Sequence, residues 1–230
     1  MAEFVLVPGA WLGGWAWVDV VPELRAAGHG AHPVTLSGLA ERSGEQAGQP
    51  AHVQDVLDVA LPLRDVVLVG HSYAGIPVCQ AAGRLGDRLR RVILVDANVP
   101  TDGQSFASGW SPRGQEMLQA ALADNDGLWP PLKAGDYAGQ GLTAPQIDRI
   151  VTGSTPHPGA TLTEPATLSG PLSDLPVTYV KCLIDGPKPT DDVARLATSD
   201  TWQIVNLNAG HWPMLSEPLE LAKILLDATT

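Results

Sequence analysis

Short apolar runs that alternate with helical segments constrain the fold of this chain more than any other feature. Several runs are apolar along their whole length instead of alternating with polar residues, which is typical of strands buried on both faces. The runs cover residues 4–7, 31–35, 66–69, 92–96, 177–183 and 202–207. They predict a mainly parallel sheet of about six strands.

Segments with helical spacing or composition lie between these strands. They cover residues 15–27, 53–60, 73–89, 190–197 and 219–227. A strand–helix–strand rhythm of this kind indicates an α/β fold, with helices packed on both faces of the sheet. At 230 residues and 44% hydrophobic content, we expect one domain, residues 1–230.

The interval 98–176 breaks this rhythm. It carries scattered prolines, Trp110 and Trp129, and helical patterns at 114–123 and 145–151 only. Long excursions within compact α/β domains usually carry function. We therefore expect a small cap or lid, inserted before the fifth strand, that covers the carboxyl ends of the strands.

Charge and cysteine usage limit the partners. A net charge of −11 argues against nucleic acid or an anionic membrane, since both need a basic binding face. Cys79 and Cys182 lie in apolar runs, so we expect two buried reduced thiols and a cytoplasmic protein. No apolar run reaches membrane-spanning length. We expect a small-molecule substrate and no cofactor or metal. The sequence does not decide between a monomer and a homodimer.

A serine at a strand-to-helix turn is the most informative motif. Residues 66–75 read VVLVGHSYAG, an apolar strand that passes through small residues into a helix. Such a turn, a nucleophile elbow, exposes a serine hydroxyl above the sheet, where a base can activate it. Gly70 provides the small neighbour, and Ala74 stands where a second glycine is usual. Ser72 is thus the candidate nucleophile, with a helix-capping serine as the alternative.

A histidine follows the last predicted strand. His211 comes after Gly210, just past the run that ends at residue 207, and can reach across the sheet edge to Ser72. The near-neutral pKa of an imidazole suits the uptake and return of a proton. His211 is therefore the candidate base, and a structural histidine is the alternative.

A carboxylate must orient this histidine and stabilise its charged form. Asp185 follows the strand 177–183 and gives the chain order serine, aspartate, histidine. Asp96, which also ends a strand, is the competing candidate. We favour Asp185 and keep Asp96 open.

A glycine-rich loop follows the first strand, at residues 8–14. Its exposed backbone suggests an oxyanion hole made by the N–H groups of Ala10 and Tyr73. A dinucleotide-binding loop is the alternative interpretation, but two residues argue against it. Trp11 would crowd a pyrophosphate, and the second strand ends in Thr35, where an acidic residue would be needed to bind a ribose. Trp11, Trp110 and Trp129 are candidate substrate-binding residues, with core packing as the alternative.

Together these segments resemble the α/β-hydrolase superfamily, in particular its small esterase and hydroxynitrile-lyase-like group, over nearly the whole chain. The likeness lies in VLVPGAW at 5–11, GHSYAG at 70–75, CLID at 182–185 and GHWPML at 210–215. It implies a triad of Ser72, Asp185 and His211, and a cap introduced by residues 94–100.

Two departures from this group matter. Pro8 stands where a histidine usually precedes the oxyanion-loop glycine. Gly9 and Trp212 stand where the lyase branch uses threonine and lysine, which argues against cyanohydrin cleavage. The sequence therefore predicts a serine hydrolase acting on a small or medium carboxylic ester or lactone. The alternatives are a cyclase, isomerase or C–C bond cleaving enzyme on the same fold, or a ligand-binding receptor.

Overall fold

A computed structural model describes residues 1–229. Six strands form one parallel sheet, in the order β2-β1-β3-β4-β7-β8. The described residues also form a separate pair, β5 Leu128–Trp129 and β6 His157–Pro158. The six strands of the main sheet are β1 Glu3–Val7, β2 Gly30–Pro33, β3 Val66–His71, β4 Leu89–Val95, β7 Val177–Cys182 and β8 Trp202–Leu207. The predicted sheet is confirmed, and each of its six runs forms a strand.

The helices lie on both sides of this sheet. They are α1 Val21–Ala26, α2 Gln49–Ala60, α3 Gly75–Ala82, α4 Pro112–Asp124, α5 Ala144–Gly153, α6 Ala160–Thr163, α7 Asp191–Leu196, α8 Pro213–Ser216 and α9 Pro218–Asp227. One apolar core joins α2 and α3 to a face of the sheet, and a second joins α1 and α9 to the other. The α/β fold with two covered faces is thereby confirmed.

Two predicted helices differ from the observed ones. The segment 15–27 divides into a 3-10 turn, Gly14–Trp17, and α1, because Pro22 has no N–H with which to continue a helix from the preceding turn. The segment 73–89 ends as α-helix at Ala82, because Gly83 caps it and Gly86 has a φ of +54°.

The register of the sheet places the site. Val7 of β1 lies beside Gly70 of β3, and His71 of β3 lies beside Val95 of β4. The strands are parallel, so their carboxyl ends meet at one edge. Gly9, Ser72 and Asp96, which follow these ends, therefore emerge close together.

The segment between β4 and β7 is an insertion into this sheet. It holds α4, α5 and α6, together with the antiparallel pair β5 and β6. This pair was missed because each strand is only two residues long and gives no periodicity. In residues 1–229, no helix combines the length and apolar character needed to cross a bilayer.

Candidate active site

Ser72 lies at the sharp turn between β3 and a 3-10 helix, Ser72–Ala74. Its φ of +54° is in the left-handed region, which costs a residue other than glycine about 1–3 kcal/mol. A Cβ on Gly75 would lie 2.1 Å from the backbone oxygen of Asn98. Gly75 therefore allows the close packing of the turn, and Ala74 is tolerated one position earlier.

The imidazole of His211 lies between a hydroxyl and a carboxylate. Its Nε2 is 2.9 Å from Ser72 Oγ, and its Nδ1 is 2.7 Å from Asp96 Oδ2. Because a carboxylate accepts the Nδ1–H, Nε2 carries the free lone pair that faces the serine. The structure thus brings the predicted serine and histidine together over 139 residues of sequence.

The carboxylate beside His211 is Asp96, and the preference for Asp185 is corrected on this geometry. Asp96 directly follows β4, the neighbour of the serine strand, and its φ of +43° turns the chain at the sheet edge. Asp185 lies three residues past the end of β7, in an exposed turn. Its Oδ1 accepts a hydrogen bond of 2.7 Å from Gln140 Nε2.

Gln140 is a residue that sequence reasoning missed. Its Oε1 accepts the backbone N–H of His211 at 2.7 Å, while its amide nitrogen binds Asp185. A Cβ on Gly210 would lie 2.3 Å from the backbone oxygen of Gln140. Asp185 therefore contacts the loop that carries His211 through Gln140 of the insertion, and it does not bind the His211 imidazole.

Lys181 adds a buried positive charge beside Asp96. Its Nζ lies 3.1 Å from Asp96 Oδ1, and both side chains are less than a tenth exposed. Burial alone raises the pKa of Asp96, but the hydrogen bond and charge of His211, together with the ammonium of Lys181, outweigh it and hold that pKa below its ordinary value. Asp96 is therefore ionised at neutral pH.

We expect Lys181→Met to lower the free energy of unfolding by about 3 kcal/mol, because it leaves a buried carboxylate short of a partner. The pKa of Asp96 should rise as well. Ionised Asp96 stabilises the folded protein, so on acidification the variant should lose this stabilisation at a higher pH than the wild type does. Urea unfolding at several pH values measures both effects. Lys188→Met, at an exposed lysine, is the control and should change stability by less than about 0.5 kcal/mol. Equal stability of the two variants would contradict the prediction.

The glycine-rich loop predicted to form the oxyanion hole lies beside Ser72. Among the described residues 1–229, the Ala10 N–H donates to no acceptor. Tyr73 is the second residue of the 3-10 helix that begins at Ser72, so its N–H has no intrahelical partner. Both residues line the same cavity as Ser72 and His211. Two candidate donors thus lie beside Ser72.

This cavity measures about 220 Å³ and is mostly aromatic. Trp11 and Trp129 form part of its wall, with ring centroids 4.2 Å apart. Trp110 lies behind Trp129 and borders a neighbouring cavity of about 480 Å³. The structure therefore brings two of the three predicted tryptophans into the cavity that contains Ser72 and places the third one layer away. Sequence reasoning missed Phe106, Leu132 and Trp212, which complete the wall.

Three side chains near the serine could be considered as metal ligands. Asp96, Asp185 and His211 hold ligand atoms within 4.8 Å of one another. However, the Nδ1 of His211 is hydrogen bonded to Asp96, and Asp96 also pairs with Lys181. A metal ion would have to displace these contacts, so the donor set fits it poorly.

Buried histidines surround the site. His52 binds the Tyr73 hydroxyl through Nδ1 at 2.9 Å and the Ser37 carbonyl through Nε2 at 2.8 Å. Burial lowers the pKa of His52 to about 4 and that of His71 to about 3. Burial also holds the pKa of His157 well below its ordinary value. All three imidazoles are therefore neutral in the folded protein.

These histidines predict a loss of stability in mild acid. An unfolded histidine takes up its proton near pH 6.5, whereas folded His52 does so near pH 4, so stability falls as the pH drops between these values. His52 alone should cost about 2 kcal/mol between pH 7 and pH 5. Urea unfolding at both pH values measures the fall.

The matched variant is His52→Gln, which removes the proton-binding group and should reduce this pH dependence. A free energy of unfolding that stays constant from pH 7 to pH 5 in the wild type would refute the prediction.

Comparison with known proteins gives the family of the chain. The sequence pattern of a family described as the alpha/beta hydrolase family matches residues 4–224. The chain is 35% identical to a carbendazim hydrolyzing esterase of Nocardioides sp. (strain SG-4G), over 98% of both chains. It is 28% identical to Esterase PIR7B of Oryza sativa subsp. japonica, over 97% of this chain and 94% of that one.

A solved structure shows the same fold. It is an extracellular alpha/beta-hydrolase from a Paenibacillus species, with a TM-score of 0.86, 20% sequence identity and 99% of each chain covered. The resemblance inferred from the sequence motifs is thereby confirmed. The chain belongs to the alpha/beta hydrolase family and is a carboxylic ester hydrolase of its esterase-like group.

Proposed function

We propose that this ester hydrolase cleaves small or medium carboxylic esters or lactones through an acyl intermediate on Ser72. The observation that carries the proposal is the continuous series of hydrogen bonds from Asp96 through His211 to Ser72, which opens into an apolar cavity. Activation of a serine hydroxyl requires a base whose tautomer is fixed by a third group, and this series meets that requirement.

In the first step, Ser72 Oγ attacks the carbonyl carbon of the ester while its proton passes to Nε2 of His211. The negative charge that develops on the carbonyl oxygen is held by the N–H groups of Ala10 and Tyr73. Asp96 stabilises the imidazolium across the 2.7 Å contact. The bond between the carbonyl carbon and the alcohol oxygen then breaks, and His211 gives its proton to that oxygen.

In the second step, water releases the acyl group. Nε2 of His211 takes a proton from the water as its oxygen attacks the acyl carbon, and the same two N–H groups hold the second oxyanion. Collapse breaks the bond to Ser72 Oγ, which recovers its proton from His211. The products are a carboxylic acid and an alcohol, or a hydroxy acid from a lactone.

The cavity supports an apolar substrate group of limited size. Its wall is mainly aromatic, and its volume of about 220 Å³ lies below the range of about 300–1,000 Å³ that is usual for small-molecule sites. Phe106, Trp129 and Leu132 of the insertion form part of that wall. We infer that the insertion acts as a lid over the substrate. The buried free thiols of Cys79 and Cys182 support a cytoplasmic location.

A covalent probe tests the proposal directly. The wild-type protein is treated with a fluorophosphonate, and peptide mass spectrometry should find the adduct on Ser72; Ser72→Ala should neither be labelled nor hydrolyse p-nitrophenyl acetate. Carbendazim, the compound named for the Nocardioides relative, is a second test substrate. A wild-type protein without adduct or ester turnover would sink the proposal. Full turnover by Ser72→Ala would instead assign the chemistry to His211 alone.

A further inference from the structure

Two buried histidines bind the backbone on either side of Ala10. The Gly9 N–H donates to Nδ1 of His71 at 3.2 Å, and the Trp11 N–H donates to Nδ1 of His157 at 3.3 Å. Both imidazoles are fully buried. Of these three consecutive N–H groups, that of Ala10 alone has no acceptor within the part of the chain that the structure describes.

We infer that His71 and His157 are positioning residues of the oxyanion loop, which fix its backbone so that the Ala10 N–H is the donor left for the substrate. The inference rests on the proposed acyl transfer at Ser72 and deepens it. His157 belongs to β6 of the insertion, so the insertion would complete the catalytic machinery as well as cover the cavity.

The second nitrogen of each ring fixes its tautomer. Nε2–H of His71 donates to the backbone carbonyl of His211 at 2.7 Å. Nε2 of His157 lies 2.8 Å from Thr161 Oγ1, whose own hydrogen is donated to the Pro158 carbonyl at 2.7 Å. The Thr161 oxygen must therefore accept from His157. In both rings this leaves Nδ1 as an acceptor, as the loop N–H groups require.

Burial keeps both rings in this neutral form. It lowers the pKa of His71 to about 3 and that of His157 well below its ordinary value. A protonated ring would carry hydrogen on both nitrogens and could no longer accept from the loop. The acceptors are therefore present throughout the neutral range.

The loop needs such support because its backbone is strained. Trp11 has a φ of +67°, a conformation that costs a residue other than glycine about 1–3 kcal/mol. Its N–H is held by His157, and its carbonyl accepts from the Thr155 N–H at 3.0 Å. Without these contacts from the insertion, Trp11 would relax to an ordinary conformation and turn the neighbouring Ala10 N–H away.

The test uses two replacements of His157. His157→Leu removes the acceptor, whereas His157→Asn places an amide oxygen near the position of Nδ1. We expect kcat for p-nitrophenyl acetate to fall about 100-fold in the leucine variant, the scale of one oxyanion-hole donor, with KM little changed. The asparagine variant should recover most of that loss. His29→Leu, at a partly exposed histidine whose Nδ1 accepts the Ala2 N–H away from the site, is the control and should keep the wild-type kcat.

Amide hydrogen exchange provides a readout that does not depend on turnover. Mass spectrometry of peptides covering residues 9–12 should show faster exchange in His157→Leu and near wild-type exchange in His157→Asn. Unchanged exchange, or faster exchange with unchanged kcat, would overturn the inference. If Ser72 of the wild type fails to react with a fluorophosphonate, the proposed function fails, and exchange still decides whether His157 holds the loop.

A third variant covers the case in which His157→Leu does not fold. His157→Gln places its amide near the position of Nε2, so it can reach Thr161 but not the Trp11 N–H. If the asparagine variant is active and the glutamine variant is impaired at equal thermal stability, the inference is supported. Equal activity of these two variants would contradict it.

Discussion

Replacing Asp96 with asparagine should lower kcat about 10⁴-fold, as expected when the acid of a serine triad becomes an amide. An asparagine can turn its NH₂ group toward Nδ1 of His211, which reverses the tautomer and leaves Nε2 protonated. The imidazole then has no lone pair for the Ser72 hydroxyl. The amide also lacks the charge that stabilises the imidazolium. Steady-state kinetics with p-nitrophenyl acetate measure the loss.

Asp185→Asn is the matched control, because it makes the same chemical change at the second carboxylate near His211. The Oδ1 of Asp185 binds only the Gln140 amide among the contacts described, and the side-chain oxygen of an asparagine can accept the same hydrogen bond. We therefore expect kcat to stay near the wild-type value. If Asp185→Asn loses activity and Asp96→Asn retains it, the geometric assignment is wrong and the preference drawn from the sequence is right.

The sequence located the edge of the sheet where the site lies, because strand periodicity and turn chemistry are local properties. An apolar strand followed by small residues predicted Ser72 as the nucleophile, and the position of His211 past the last strand predicted it as the base. Parallel strands end at a common edge, so these two residues had to be neighbours once the sheet formed. No further tertiary information was needed for that step.

The choice between the two aspartates depended on contacts that are not local. Asp96 and Asp185 both follow strands, and the sequence pattern of the two positions is alike. The two positions differ in the strand that precedes them and in the turn that follows it. The strand before Asp96, β4, lies next to the strand that ends before Ser72, and the φ of +43° at Asp96 bends the chain at the sheet edge. Lys181, which supports Asp96, is 85 residues away in the sequence.

The support of the oxyanion loop was hidden for the same reason. Pro8 replaces the usual histidine, and nothing near it in the sequence suggests a substitute. The contact between Trp11 and His157 joins residues 146 positions apart, through a strand of only two residues. His71 adjoins the nucleophile, but its sequence position does not indicate that both ring nitrogens bind backbone groups of other loops.

Gly9→Ala should lower kcat about 10³-fold, at the upper end of the loss measured for one oxyanion-hole donor. A Cβ at this position would lie 2.8 Å from Ser72 Cβ and 2.9 Å from His71 Nδ1. Neither atom can withdraw easily. Ser72 Cβ is bonded directly to the strained backbone of the elbow, and the His71 ring is fixed by its bond to the His211 carbonyl. The loop must move instead, and the Ala10 N–H moves with it.

Because the clash affects the loop and not the triad, its signature differs from that of Asp96→Asn. We expect Gly9→Ala to lose kcat while His211 keeps its contacts with Ser72 and Asp96, so the pH at which activity appears should stay near the wild-type value. Gly170→Ala is the control, since a Cβ there meets nothing within 4 Å. Wild-type kcat in Gly9→Ala would show that the loop can shift without cost, and the oxyanion site would then have to lie elsewhere. The requirement for glycine at this position thus follows from geometry, because the loop crosses so close to Ser72 that a Cβ would meet both the serine and the His71 imidazole.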